Sequence, residues 1–222
     1  MTPIPTFSQV SYFLPVLHSQ GTRHMLLGST NEYSQANLFY TTEKFVPHVT
    51  TDLLEVTYHK TYKIITNKFQ NKTYLLYQCG TEPPTEEIES GDYHLVLPVP
   101  HQGKLGITET PQITPLEQLG LRREIAVYIG NPKLVSSPCL NYMAQEDQLD
   151  IIYYEEDPWN TTLSAQGIAS YLEEQPELVI FAGPYGDADA ERHMAVPATQ
   201  ERTNSATFDW VSVLCNSFAR SY

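Results

Sequence analysis

The sequence predicts an α/β fold, a mostly parallel sheet flanked by helices with an N-terminal antiparallel β-hairpin extension. Three observations predict it. LLEVTYHKTYKIIT and KTYLLYQC, within residues 53–79, are rich in β-branched and aromatic residues and alternate between apolar and polar positions, as strands with one wet face do. From about residue 93, short apolar stretches alternate with helical patterns, the signature of a parallel sheet wrapped by helices. ELVIFAG (177–183) is a continuous apolar run suited to a parallel strand buried on both faces.

The elements follow in order. The stretch 81–92 is polar, and Pro83-Pro84 ends the strand before it. HLVLPVP (94–100) is a short strand closed by prolines, and KLGIT (104–108) is the next. TPLEQLGL (114–121) reads as a helix with Thr114 as cap, Pro115 in its first turn and Gly120 near its end. AVYIG (126–130) is a strand, SSPCLNYMAQE (136–146) a helix with a serine cap, and DIIYYE (150–155) another strand. LSAQGIASYLEEQ (163–175) carries apolar residues at helical spacing, and FDWVSVLCNSF (208–218) begins a last helix. The expected organisation is thus an extension (1–44) whose pattern is weak, a hairpin region (45–92), an α/β lobe (93–207) and the start of a further helix (208–222).

Composition narrows the function classes. With 222 residues, 41% of them hydrophobic and 18% charged, the chain can fold as one large domain. Its 26 acidic against 13 basic residues give a net charge of −13, so counterion release cannot drive binding to nucleic acid, and an anionic membrane is a poor partner too. No stretch approaches the ~18 apolar residues of a transmembrane helix. The first twenty residues lack a basic segment ahead of a compact apolar run and do not read as a signal peptide. With a leader already removed the protein would be secreted or face the periplasm or cell exterior; without one it would be cytosolic.

The cysteines, Cys79, Cys139 and Cys215, match no zinc spacing. They are either three buried thiols or include a Cys79–Cys139 disulfide closing a loop of about 60 residues, where bridging is strongly stabilising in the loop-entropy model. Asn71-Lys72-Thr73 and Asn160-Thr161-Thr162 are glycosylation sequons, which makes Asn71 and Asn160 candidate acceptors in a secreted protein. Asp187, Asp189, Glu191 and His193 alternate at spacing two, but lack the glycine and closing glutamate of a calcium loop, and read as a solvated loop. The remaining histidines form no HxH or HxxxH pair, so no metal site is expected.

Catalytic signatures are equally sparse. GxSxG, HExxH and P-loop patterns do not occur. Cys139 lies at an expected helix start, where a thiolate is stabilised, but no partner histidine suggests itself. A non-enzymatic role is expected. In parallel α/β sheets, ligands meet the loops at the carboxyl ends of the strands. That rule selects Thr108-Glu109-Thr110, Asn131-Pro132, the loop ending at Trp159, and Gly183-Pro184-Tyr185-Gly186. Trp159 and Tyr185 could stack on a planar ligand, and the same residues also suit ordinary turns. Ser136-Ser137 reads as a helix cap rather than a ligand contact.

Six segments, in this order, carry a resemblance. They are FVPHVTTDLLEVTYHKTYKII (45–65), TYLLYQCGTEPP (73–84), PLEQLGL (115–121), LVSSPCLNYMA (134–144), YLEEQPELVIFAGP (171–184) and FDWVSVL (208–214). Together they resemble the iron-siderophore/vitamin B12 type of periplasmic substrate-binding protein, the class III receptors whose two lobes are joined by one long helix. Gln175 and Glu177 stand where lysine and aspartate are common in that family. The resemblance implies a single, first lobe of such a receptor, present by truncation or by nature, with residues 208–222 opening the inter-lobe helix. It implies an iron chelate or cobalamin as ligand and no tightly held cofactor; the carboxyl-end rule supplies Thr108, Glu109, Thr110, Asn131, Trp159, Pro184 and Tyr185 as the contacts. Without a second lobe, the final helix would present an apolar face to a protein partner or to a second copy of the chain.

Overall fold

The structure is a computed structural model that describes residues 51–153, 161–184 and 189–218. It contains mixed α/β architecture: a five-stranded parallel sheet flanked by helices, beside a four-stranded, largely antiparallel sheet.

The four-stranded sheet runs in the order β1 (Leu54–Tyr58), β2 (Tyr62–Asn67), β3 (Lys72–Gln78), β4 (Leu95–Val99). The expected hairpin is a three-stranded meander, because the chain turns at 59–61 and divides the first apolar run into β1 and β2. Lys63, Ile65 and Asn67 of β2 are buried while Tyr62, Ile64 and Thr66 are only half-buried, the period-two alternation of a sheet with one core face. The stretch 81–92 is not all loop, since α1 (Thr85–Ser90) forms there behind Pro84 with Glu86 and Glu87 in its first turn, where carboxylates favour a helix start. HLVLPVP, expected to open the α/β lobe, instead supplies β4, which pairs parallel to β3. As an edge strand β4 tolerates Pro98, which has no N–H to give a further neighbour.

The five-stranded sheet has the order β7-β6-β5-β8-β9, with every pairing parallel. Its strands are β5 (Leu105–Ile107), β6 (Ile125–Ile129), β7 (Asp150–Ile152), β8 (Val179–Ala182) and β9 (His193–Ala195). The chain starts at the centre, builds outward through β6 and β7, and returns to the other side of β5. The crossovers carry α2 (Ile113–Gln118), α3 (Pro138–Gln145) and α4 (Thr161–Glu174), and α5 (Asn204–Phe218) ends the described chain. Leu105, Ile107, Val179 and Phe181 point to one face and pack with α2, α3, α5 and the core face of the other sheet. Val127, Ile129 and Ile180 point the opposite way, against Leu172 and Ile168 of α4. At Gly106 an added Cβ would come within 3.0 Å of both Ile180 and Val127, so β5 sits tightly between its neighbours on that face.

Strand β9 falls within the run read as a solvated loop. His193, Met194 and Ala195 are buried because the other sheet covers this edge: Tyr74 accepts the Ala195 N–H (2.9 Å) and the Asn67 side-chain amide donates to the Ala195 carbonyl (3.2 Å). Asp189, from the same run, pairs with Lys72. The final helix begins four residues earlier than expected and lies back on the core, with Trp210 and Val213 fully buried and Phe208 exposed. No helix among the described residues is long and apolar enough to cross a membrane.

Candidate functional site

The strand order creates a topological switch point between β5 and β8, where the chain leaves the sheet in opposite directions and a crevice opens at the carboxyl ends. Thr108, just past β5, bridges that crevice: its Oγ1 accepts the Gly183 N–H (2.9 Å) and its own N–H donates to the Phe181 carbonyl (3.2 Å). Two of the expected contact loops are thereby brought together. Glu109 follows in extended conformation and caps a 3-10 turn, Thr110–Gln112, that runs into α2. The helical start thus lies ahead of Thr114, and Thr110 belongs to the cap turn rather than to a free loop.

The carboxyl group of Glu109 lies directly over Gly183. A Cβ at that position would come within 1.9 Å of Glu109 Cδ, so the missing side chain is what lets the carboxyl approach the loop backbone. Burial pushes the Glu109 carboxyl above the ordinary carboxylate range. It also raises the buried phenol of Tyr128, which the nearby Glu109 charge raises further. Gln112, only 6% exposed, receives both the Thr108 and Glu109 N–H groups on its Oε1 (3.2 and 3.3 Å), while its Nε2 is buried without an acceptor. Gln112 was not among the expected contacts. The signal was present, because a glutamine three residues after a residue entering a helix has the spacing of a capping box.

The hairpin sheet reaches the same rim. Gln70, in the β2–β3 turn, donates through Nε2 to the carbonyls of Pro184 (3.2 Å) and Gly183 (3.5 Å). Pro184 is consequently buried, so its ring is covered in this structure. Asn131, past β6, spends its Oδ1 on the N–H of Lys133 (3.0 Å), which leaves its Nδ2 as the group available for recognition. Ser137 is a helix cap, accepting from the Leu140 N–H (3.2 Å) and donating to Glu117 (2.6 Å). Trp159, Tyr185 and Asn160 lie outside the described residues. Asn71 is exposed at the hairpin turn in a left-handed conformation (φ 52°), an accessible position for a sequon asparagine.

The cysteine expectations are corrected. Cys79 and Cys139 are both free and exposed, neither buried nor bridged to each other. Cys79 sits at the end of β3 in one sheet, while Cys139 opens α3 beside the other, so the fold sets them on separate layers. Among the described residues no group of three or more His, Cys, Asp or Glu is placed to hold a metal ion.

Two hollows lie close to these elements. One of about 60 Å³ lies beneath the switch point, between the start of α2, the segment after β9 and α5. The other, about 220 Å³, lies between α4 and residues 190–193. Arg192 lines the latter in a left-handed conformation (φ 58°) and donates to the carbonyls of Leu172, Gln175 and Pro176, closing the carboxyl end of α4.

Fold and rim together define a mixed α/β protein with a switch point at the carboxyl ends of the central strands of a parallel sheet. In comparisons with known proteins, no family model, no curated protein and no solved structure matches the chain.

Proposed function

We propose that this chain is a non-enzymatic binding module, of the kind represented by the first lobe of an iron-chelate or cobalamin receptor, and that the switch-point rim is where its small-molecule ligand rests. The observation that carries the reading is the convergence of Thr108, Glu109, Gly183 and Gln112 at the point where the strand order of the parallel sheet reverses. A desolvated carboxyl at such a crevice carries a cost that a ligand could offset. Affinity depends on how much ligand surface Thr110, Asn131 and the 183–184 loop cover.

The test is thermal unfolding of the purified chain with a ferric catecholate, a ferric hydroxamate or cobalamin. Binding to the native state alone raises apparent stability, by about 2.7 kcal/mol at a hundredfold excess over Kd. A concentration-dependent rise with one of these and not with the iron-free chelator is expected. No rise with any of them would sink the reading.

One observation favours a second reading, a lobe repurposed for protein interaction with no small ligand. Phe208 on α5 is 66% exposed, and a large aromatic residue so presented is suited to a partner or a second copy. Sedimentation of the chain alone would then give a mass above the monomer's 25.2 kDa.

A further inference from the structure

The parallel sheet ends at β9, and the larger hollow lies on the α4 face of that end. Ile180 of β8 packs against Ile168 and Leu172 of α4. His193 of β9 pairs with Ile180 and so lies on the same face of the sheet, since strand neighbours in register share a face. No further strand follows β9 among the described residues, and a space of about 220 Å³ remains between α4 and residues 190–193. That exceeds the roughly 150 Å³ of a cavity able to hold a benzene ring.

The walls are of two kinds. Ile168, Ala169 and Leu172 of α4, with Ala190 from the opposite segment, are apolar. Glu173 on α4 and Glu191 across from it also line the hollow, and both are exposed, so they stand at its mouth. Arg192, the arginine of the wall, is already engaged. Its guanidinium donates to the carbonyls of Leu172, Gln175 and Pro176, and its Nε lies 3.7 Å from a carboxylate oxygen of Glu191. An incoming anion would meet two carboxylates and the carboxyl end of a 14-residue helix, whose dipole disfavours negative charge. The same groups favour a cation, as does the net charge of −13.

We propose that this hollow is a binding site for a small organic cation, an ammonium group on an apolar body about the size of a benzene ring. The body packs on Ile168, Ala169 and Leu172, and the charged group stands at the mouth between Glu173 and Glu191. Apolar fit supplies the affinity and the two carboxylates select the sign of the charge. The hollow shares no residue with the switch-point rim, so it stands or falls apart from the proposed function.

The experiment is an NMR titration of the isotopically labelled chain with benzylammonium chloride, with benzyl alcohol as the neutral isostere and sodium benzoate as the anion. Saturable shifts centred on the amides of residues 168–173 and 190–192 are expected with benzylammonium, weaker ones with benzyl alcohol, and none that saturate with benzoate. Glu173→Gln and Glu191→Gln together are expected to weaken benzylammonium about fivefold, the effect of two exposed charge pairs, and to leave benzyl alcohol unchanged. Ala169 is exposed on α4, so Ala169→Phe narrows the hollow without disturbing the core, and is expected to weaken both probes alike. Benzoate that saturates as tightly as benzylammonium, shifts that never saturate or centre elsewhere, or a double variant that binds benzylammonium as the wild type does would each overturn the proposal. So would undiminished binding by Ala169→Phe.

Discussion

Glu87 and Glu109 are both carboxylates at helix starts, one on each sheet's periphery, and their surroundings differ. Glu87, on α1, accepts hydrogen bonds from Tyr93 and from Tyr62 (3.1 Å), and its pKa is lowered, chiefly by Tyr93. Glu109, at the carboxyl end of the parallel sheet, is pushed up by burial. The same contrast holds for larger groups. Where the four-stranded sheet meets β9, Tyr74 and Asn67 satisfy the backbone of Ala195, and burial pushes the Tyr74 phenol up to about 12, keeping it a neutral hydrogen-bonding group. At the switch point, by contrast, Gln112 keeps a buried donor unused. Polar groups that the fold satisfies hold it together, whereas a buried polar atom without a partner, at Gln112 as at Gln78 and His94 of the other sheet, carries a cost.

The largest effect is expected from the packing difference between the sheets. Leu105 lies in the centre of the parallel sheet and is fully buried, so Leu105→Ala should cost about 2–5 kcal/mol in urea unfolding. Ile64, on the half-covered face of the four-stranded sheet, should cost about 1 kcal/mol when changed to alanine. Equal costs would mean that both sheets are buried alike. Next comes the seam between them. Tyr74→Phe removes the acceptor of a buried N–H and should cost about 1–3 kcal/mol, with faster amide exchange at Ala195 than at Phe181.

Smaller effects separate the two carboxylates by pH. Because the folded pKa of Glu109 is raised, its contribution is most favourable below the unfolded carboxylate pKa and is lost as pH rises through the folded value. Glu109→Gln should therefore leave the ligand-free chain more stable than wild type at neutral pH, and the gain should fade in acid. Glu87 has the opposite sign: its stabilisation is present above the unfolded carboxylate pKa and is lost as pH falls through its lowered folded value. Glu87→Gln should lower stability slightly at neutral pH, with the difference fading in acid. Unfolding midpoints of the two variants across pH would show curves of opposite slope.

The two regions were also unequally legible in the sequence. Alternation over 53–78 and the apolar run before Gly183 are local patterns, and both gave strands where they were expected. The helix at 163–175 announced itself by spacing and begins only two residues earlier. Strand β9 did not, because three residues in an acidic stretch are buried only by β8 and by a clamp from Asn67 and Tyr74, more than a hundred residues away in sequence. The sheet that β4 joins was likewise hidden, since parallel pairing to β3 leaves no local mark. α1 was missed although Pro84 and two first-turn glutamates signalled it, because the acidic composition suggested a loop. At the rim, the carboxyl-end rule selects Thr108, Glu109 and the 183–184 loop, which the structure brings together, but burial of Pro184 beneath Gln70 depends on a contact between sheets.

The central claim, that the switch-point rim receives a small molecule, is tested most directly by paramagnetic NMR. A high-spin ferric chelate broadens amide signals close to where it rests. The account predicts broadening centred on residues 107–112, 130–131 and 183–184, reversed by competition with the matching diamagnetic gallium chelate. Broadening centred instead between α4 and residues 190–193, or none at any concentration, would contradict it.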